Sequence, residues 1–173
     1  HETVRCCGRC GGATDVRAAG WKRVCWACGQ ETFPRIDPVV IMLVTDGARC
    51  VLAHEPRYPD RMFSALAGYV EPGEDVGHAV RRETLEEVGL AVGEVSFLAS
   101  QPWPFPHSLM LGCVARAAPA PLRLDDGEIA EARWFSRAEA RDMLDGKHPE
   151  GLWVPGPQAI AHTLIVAFCS ERA

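Results

Sequence analysis

Short apolar runs separated by polar turns follow one another along the middle of the chain. The runs "VVIMLVT" (Val39–Thr45) and "RCVLAHE" (Arg49–Glu55) are joined by Asp46-Gly47, a dipeptide typical of tight β-hairpin turns. The later runs "SFLASQ", "SLMLGCVARA" and "EARWFS" have the same character. We therefore predict β-strands at all of these runs, with a polar loop at 56–62 after the second.

Helical patterns interrupt these strands. An acidic segment follows a glycine turn and ends at Leu90, and Ser136 is placed to cap a helix over Arg137–Leu144. The stretch "GPQAIAHTLIVAFC" predicts an amphipathic helix near the end of the sequence. Strands dominate the middle and helices punctuate them, which indicates an α+β or α/β fold.

The acidic segment "GYVEPGEDVGHAVRRETLEEVGL" (Gly68–Leu90) concentrates carboxylates in one short helix. At about 100° per residue, Glu83 and Glu87 fall close together, and Glu86 lies on the flank of the same face. Three carboxylates on one face repel one another unless a cation lies among them. Mg²⁺ prefers such oxygen ligands and commonly bridges them to substrate phosphates. A metal site is one interpretation, and a solvated surface helix is the other.

Two further features of this segment favour the metal site. The prolines and glycines ahead of the helix, among them Gly68, Pro72 and Gly73, form a shaped loop, and no lysine follows the glutamates at the i+4 spacing typical of a solvated face. Leu85 and Val88 are predicted to point to the opposite side of the helix and to enter the core.

Four of the eight cysteines form two close pairs near the start of the chain. Cys7 and Cys10 make the first pair, Cys25 and Cys28 make the second, and a glycine follows each pair directly. Such knuckles supply four thiolates to one structural zinc ion. Two disulfides or a redox pair are the alternative. Cys6 is an adjacent spare thiol, and the remaining cysteines are predicted to be buried: Cys50, Cys113 and Cys169.

Composition limits the architecture and the class of partner. The chain has 173 residues, 47% hydrophobic content and a net charge of -5, which allows one good core and gives no overall basic field for nucleic acid. No apolar run is long enough to span a membrane, and no signal peptide is evident, so we expect a cytoplasmic protein. Pro34 and Pro38 mark a junction, which predicts a zinc ribbon over 1–33 and a main domain over 34–173. The sequence begins at His1 without an initiator Met, which leaves a fragment or a processed product as open interpretations.

A second unusual stretch is "SQPWPFPHS", from Ser100 to Ser108. Its three prolines stiffen a predicted loop, so that Trp103 and Phe105 can be presented to a flat ring such as nicotinamide or adenine. A proline-rich plug of the core is the alternative interpretation.

The acidic segment resembles the Nudix box. Gly68 is followed after five residues by Glu74, and after seven more by "RETLEEVGL" from Arg82 to Leu90. The one departure is Thr84, where the family usually has an aliphatic residue. The resemblance implies an α/β/α sandwich that holds Mg²⁺ or Mn²⁺ and hydrolyses a nucleoside diphosphate linked to another moiety.

The same resemblance implies roles for particular residues. Glu83, Glu86 and Glu87 would be metal ligands and candidates for the catalytic base. Glu74 and Arg82 would form an ion pair that fixes the loop. Two further metal ligands are implied outside this set, the carbonyl of Ala67 and the carboxylate of Glu128.

The proline-rich stretch is similar to the SQPWPFPxS signature of NADH pyrophosphatases, which also carry a four-cysteine ribbon before the Nudix domain. That family implies cleavage of NADH to reduced nicotinamide mononucleotide and AMP, and removal of NAD caps from RNA. It also implies homodimers with composite active sites and an N-terminal domain before the ribbon.

The family match also implies a set of substrate contacts. Tyr69 would stack on the substrate, and Phe33 stands where many members have a tyrosine. The remaining implied contacts are Gln101, Pro102, Trp103, Pro104, Phe105, Pro106, His107, Ser108 and the backbone of Ala161. Two other functions stay open, namely a non-catalytic binding module built on the ribbon and hydrolysis of another nucleoside diphosphate derivative such as ADP-ribose.

Overall fold

The computed structural model describes residues 4–124 and 127–170. The chain divides into two compact units, His1–Ile36 and Asp37–Ala173. In the described residues, the first unit holds a three-stranded sheet and the second holds a six-stranded sheet with three α-helices. None of the described helices is both long and apolar enough to cross a bilayer.

The smaller unit is an antiparallel sheet in chain order. Its strands are β1 (Thr14–Arg17), β2 (Lys22–Cys25) and β3 (Glu31–Thr32). Among its described residues, Cys7 and Cys25 are the only buried apolar side chains. The buried Arg23 donates from Nε to Oγ1 of Thr14 at 2.7 Å. With so little apolar surface buried, this unit depends on its cysteine cluster for stability.

The larger unit is built on one mixed sheet. Its strands are β4 (Asp37–Thr45), β5 (Arg49–His54), β6 (Leu66–Tyr69), β7 (Val92–Trp103), β8 (Ser108–Ala117) and β9 (Glu131–Ser136). The spatial order is β7-β8-β4-β5-β9, and β6 also pairs with β4. The β4–β8 pair is parallel, while the other pairs are antiparallel. This arrangement puts β4 at the centre, where its continuous apolar run is buried.

Helices cover both faces of this sheet. They are α1 (Val76–Val88), α2 (Arg137–Leu144) and α3 (Ile160–Cys169). Apolar residues of α1 pack in one core with alternate residues of β4, while α2 and α3 pack in a second core on the other face. Because successive strand residues point to opposite faces, β4 contributes to both cores. The predicted α/β/α sandwich is therefore confirmed.

Local sequence signals set the ends of α1. The Asp75 carboxylate accepts a hydrogen bond from the amide of His78 at 2.8 Å, and Gly89 ends the helix with a φ of 69°. Such left-handed backbone favours glycine. The helix thus begins and ends at fixed points next to β6.

The rotation of α1 differs from the prediction at one position. Val88 is buried as expected, but Leu85 is 55% exposed, so its predicted place in the core is wrong. Thr84 lies in the core instead, in line with Val80 and Val88 at i, i+4 and i+8. Its hydroxyl donates to the carbonyl of Val80 at 2.7 Å, so the buried oxygen is satisfied within the helix.

The predicted strands at 108–117 and 131–136 and the helix at 137–144 are confirmed with the same bounds. Ser136 caps α2 as predicted, and Glu139 completes a capping box. The final helix begins at Ile160 and not at Gly156. The predicted loop over 100–108 is also shorter than expected. Its first residues extend β7 as far as Trp103, which leaves only 104–107 as the turn into β8.

Candidate active site

The four paired cysteines of the small unit lie together. Their Sγ atoms all fall within 4.8 Å of one another, with Cys7 to Cys28 at 3.8 Å and Cys10 to Cys25 at 3.6 Å. Four sulfurs at about 2.3 Å from one tetrahedral zinc would be about 3.8 Å apart. All four thiols are free, and these separations exclude the disulfide alternative, whose bonded sulfurs lie about 2 Å apart.

Backbone amides and neighbouring sulfurs act in opposite directions on this cluster. The amide of Cys28 lowers the pKa of Cys25 to about 6. The amide of Gly12 also favours the Cys10 thiolate, but the sulfurs of Cys28 and Cys25 raise the pKa of Cys10 to about 12. Four thiolates therefore need a cation among them, and the donor set fits zinc.

We expect one zinc per chain in the reduced protein. Elemental analysis should give a ratio near one, and Cys10→Ser should lower it, because a hydroxyl is a much poorer zinc ligand than a thiolate. The variant should lose the dispersed amide resonances of the small unit, whereas a Cys50→Ser control should keep its zinc. A folded, unoxidised wild-type sample with well under one zinc per chain would contradict this assignment.

The carboxylates of α1 lie against β6. The Glu83 side chain packs so closely on Gly68 that a Cβ atom there would stand 1.9 Å from the Glu83 Cδ atom. Arg82 holds the same carboxylate from the other side, donating from Nη1 to Oε1 at 2.8 Å. Pairing of Gly68 with Val40 in β4 fixes the backbone under Glu83. The position of Glu83 is therefore set on two sides.

Arg82 connects the loop, the helix and β6. Its Nε and Nη2 atoms donate to the two oxygens of Glu74 at 2.7 and 2.8 Å, which is the ion pair that the family resemblance implies. It also donates to the carbonyl of Tyr69 and to Glu86 Oε2, at 2.9 and 3.0 Å. These bonds from Arg82 hold the pKa of Glu74 at about 2, so the pair stays charged at neutral pH.

Glu87 is the buried member of the carboxylate cluster. It is 8% exposed, and its Oε2 atom has no hydrogen-bond partner. Burial raises the pKa of Glu87 to about 8, and the charges of Glu83, Glu55 and Glu128 add to that shift. A buried carboxylate with an unpartnered oxygen and acidic neighbours is a site that a divalent cation fits.

The other predicted ligands are two exposed carboxylates and one backbone carbonyl. Glu86 and Glu128 are exposed, and the charges of both act on the Glu83 and Glu87 carboxyls. Ala67 lies in β6, next to Gly68 and opposite Ile41 of β4. Glu83, Glu86 and Glu87 thus lie in the second half of α1, and Glu83 packs against the β6 backbone.

A cavity of about 560 Å³ opens beside this cluster. Five substrate contacts implied by the family resemblance line it with their neighbours: Tyr69, Gln101, Trp103, Phe105 and Ser108. The backbone segment 159–161 at the start of α3, including Ala161, also lines it. The other predicted members of the signature stretch, Pro102, Pro104, Pro106 and His107, lie outside the lining.

Strand alternation explains this division of the signature. Gln101 and Trp103 are two residues apart in β7, so their side chains point to one face of the sheet while Pro102 points to the other. The Trp103 and Phe105 rings meet edge to face at 5.4 Å between centroids. Aromatic surface therefore faces the cavity, and the alternative of a plug of the core is wrong, since Phe105 is 72% exposed.

Gln101 has a structural task as well as a cavity position. Its Oε1 accepts a hydrogen bond from the amide of Ile160, and its Nε2 donates to the carbonyl of Gln158, each at 2.8 Å. Ala159, the N-cap of α3, makes no side-chain cap, so Gln101 supplies that acceptor from another element. This pair of bonds fixes the wall of the cavity formed by 158–161.

Phe33 belongs to the small unit, where it is 65% exposed, so its contact with substrate stays a prediction.

The structure also brings residues to the cavity that no sequence pattern singled out. Arg57 and Tyr58, from the loop after β5, line one wall together with Trp153. Nothing in their local spacing marks them, because only the folding of the loop onto the sheet puts them there.

Comparisons with known proteins agree with this architecture. Residues 35–154 match the NUDIX domain, and residues 3–33 match the NADH pyrophosphatase zinc ribbon domain. A crystal structure of a NUDIX hydrolase from Nitrosomonas europaea superposes with a TM-score of 0.74, covering 97% of this chain and 92% of that one, at 20% identity. At that identity the likeness is one of fold.

Sequence relatives are closer. The human NAD-capped RNA hydrolase NUDT12 is 43% identical over 175 residues, which are 95% of this chain and 38% of that protein. The NAD-capped RNA hydrolase NudC of Mycobacterium bovis is 46% identical over 177 residues, which are 98% of this chain and 56% of that protein. The chain thus spans about half the length, or less, of these curated relatives. Since the NUDIX domain match covers more than half of the chain, the protein belongs to the Nudix family and carries a zinc ribbon of the NADH pyrophosphatase type.

Proposed function

We propose that this chain hydrolyses the pyrophosphate bond of NAD(H), giving nicotinamide mononucleotide and AMP, and that the same chemistry removes NAD caps from RNA. The observation that carries the proposal is the shared border of two features. Ala67 and Gly68 line the aromatic-walled cavity, and the Glu83 carboxylate packs against the same Gly68. A diphosphate whose attached ring enters the cavity would meet the carboxylate cluster at that border.

The cavity suits one planar half of a dinucleotide. Its volume lies within the range of about 300–1,000 Å³ typical of small-molecule sites, and aromatic side chains form much of its wall. Tyr69 would stack on a base, and Gln101 would hold the α3 segment so that the Ala161 backbone faces the substrate. The relatives at 43–46% identity are named NAD-capped RNA hydrolases, which supports the choice of NAD among nucleoside diphosphate derivatives.

The catalytic metal would be Mg²⁺ or Mn²⁺. The residues that would hold it are the Ala67 carbonyl, Glu83, Glu86, Glu87 and Glu128, all oxygen donors of the kind these hard cations prefer. When bound, such ions activate water and neutralise charge that develops on the phosphates. The unpartnered Oε2 of Glu87 is the atom of the cluster that most needs this neutralisation.

The chain's own side chains would order the reaction. Arg82 holds the Glu83 carboxylate in place and fixes the loop through Glu74, so the geometry is set before substrate arrives. Glu86 or Glu87 would orient the attacking water and take its proton. Trp103 and Phe105 would offer aromatic surface on which the bound ring can pack at the cavity wall.

We further propose a homodimer in the cytoplasm with residues 1–33 and 34–173 as its two domains. The support for a second chain is the exposure of aromatic surface at the cavity, since Tyr69 is 56% exposed and Phe105 is 72% exposed. Rings with one free face can enclose a substrate base together with side chains of a partner subunit.

The decisive test is release of AMP from NADH by the purified zinc-loaded chain. The reaction is run with and without Mg²⁺ or Mn²⁺, and the products are measured by chromatography. We expect metal-dependent formation of AMP and reduced nicotinamide mononucleotide in equal amounts. Faster hydrolysis of ADP-ribose than of NADH would assign another nucleoside diphosphate derivative. No turnover of NADH, ADP-ribose or NAD-capped RNA would favour a binding module.

A further inference from the structure

The loop that joins β5 to β6 brings charge to the cavity. Arg57 is the one charged side chain among the described residues that line the cavity, whose other lining residues are apolar, aromatic or neutral polar. In the acidic cluster on α1 beside the cavity, the guanidinium of Arg82 is already paired with Glu74, Glu83 and Glu86. An arginine at this wall is therefore the chain's own cationic group for a phosphate.

Glu55 holds Arg57 in its place. The guanidinium Nε of Arg57 pairs with Glu55 Oε2, and the hydroxyl of Tyr58 donates to Glu55 Oε1. The guanidinium carbon of Arg57 also lies 5.9 Å from the centroid of the Tyr58 ring. Although Nε is used in this way, the Arg57 side chain is 77% exposed, so the guanidinium stays accessible from the cavity.

The loop itself is tied down at several points. The amide of Tyr58 donates to the carbonyl of Glu55 at 2.9 Å, and the amide of Met62 donates to the carbonyl of Pro59 at 3.1 Å. At the start of the loop, His54 Nδ1 lies 2.8 Å from the carbonyl of Met62. These bonds order the backbone that carries Arg57, so little conformational freedom is left for a ligand to remove.

The cavity itself relates Arg57 to the carboxylate cluster. Arg57 and Gly68 both line the cavity, and the Glu83 carboxylate packs against Gly68. Arg57 therefore belongs to the loop wall of the cavity, whereas Gly68 belongs to the β6 wall that borders the cluster. A ligand that bridges cavity and cluster must pass between these two walls.

We propose that Arg57, oriented by Glu55 and Tyr58, binds the diphosphate of the substrate at the border between cavity and carboxylate cluster. The inference rests on the proposed function for the identity of that diphosphate. Arg57 is then a specificity-determining residue that favours ligands with phosphate next to a planar base. It makes its contact in the ground state, so its main effect falls on KM.

The test compares Arg57→Ala with Arg61→Ala. Arg61 belongs to the same loop but lies outside the cavity lining, where it contacts Asp60 and the carbonyl of Glu150. Loss of a charge-assisted hydrogen bond should raise KM for NADH by about ten- to a hundredfold in Arg57→Ala, with kcat within about threefold. Arg61→Ala should match the wild type. Arg57→Lys should recover part of the loss, because it keeps the charge but not the planar fork.

Two further measurements can overturn the proposal. Equal loss on NADH and on NAD-capped RNA supports the diphosphate as the ligand, whereas loss confined to capped RNA would assign Arg57 to an RNA phosphodiester and overturn it. If the wild type hydrolyses neither substrate, the proposed function fails by itself, and calorimetric binding of ADP then decides the inference. Arg57→Ala that binds ADP as tightly as the wild type, or leaves KM unchanged, would overturn it.

Discussion

Replacing Glu87 with glutamine is expected to lower kcat/KM for NADH by a factor between about 10² and 10⁴, whether this side chain binds metal or moves a proton. The amide is nearly isosteric with the carboxylate, but it is a poor ligand for Mg²⁺ and cannot accept the proton of water. The Glu87 carboxylate is buried and shares a helix face with Glu83, so no solvent-exposed group can take its place. Steady-state rates at saturating metal measure the loss.

Glu94→Gln is the matched control, because Glu94 is an exposed carboxylate of β7 outside the cluster. It should retain wild-type rates. Near wild-type turnover of Glu87→Gln at saturating Mg²⁺ would remove Glu87 from the mechanism and leave Glu83 and Glu86 as the remaining candidates on α1.

Glu87→Gln should also be more stable than the wild type when Mg²⁺ and Mn²⁺ are left out and zinc is retained. The pKa of Glu87 is about 8 in the folded chain against a usual value of 4.5, so between these pH values the folded state holds a proton that the unfolded state has lost. Wild-type stability should therefore fall as pH rises from about 4.5 to 8, by at most about 1.4 kcal/mol per pH unit for this group. Thermal melts over that range should show the slope in the wild type and a weaker one in Glu87→Gln.

Local signals in the sequence were enough to predict much of the fold. The bounds of β8, β9 and α2 follow from apolar runs and from the Ser136 cap, since each depends on neighbours in the chain. The zinc cluster follows from the spacing of cysteines and glycines for the same reason. The rotation of α1 does not follow from local signals, because whether Thr84 or Leu85 enters the core depends on how the helix packs on the sheet.

The candidate site divides along the same line. The acidic residues of α1 were predictable from helical spacing. Trp103 and Phe105 were predictable from the proline-rich stretch Ser100–Ser108. Arg57 and Tyr58 of the β5–β6 loop line the cavity together with residues far away in sequence, such as Trp153, so only the folded chain reveals their place there. The bonds of Gln101 to the α3 segment, across 57 and 59 positions, were hidden for the same reason.

The contact between Gly68 and Glu83 is another such tertiary feature. Because of it, the single methyl group that alanine adds at residue 68 should have a large effect on activity. A Cβ atom at residue 68 would stand 1.9 Å from Cδ and about as close to both oxygens of Glu83. The Glu83 side chain is flexible at that end and must move. The backbone at Gly68 is in a strand, where alanine fits without strain, so the fold should survive.

We therefore expect Gly68→Ala to keep its melting temperature within a few degrees while losing about a hundredfold in kcat/KM, because a shift of about 1 Å in a reacting group has effects of that size. The concentration of Mg²⁺ or Mn²⁺ needed for half-maximal rate should rise as well, since the displaced carboxylate also leaves the position in which Arg82 holds it. Gly93→Ala is the matched control, because a Cβ atom in that part of β7 meets only the carbonyl of Arg116 at 3.9 Å. If Gly68→Ala is as active as Gly93→Ala, Glu83 can work from another position, and the close packing on β6 is not what sets the metal site.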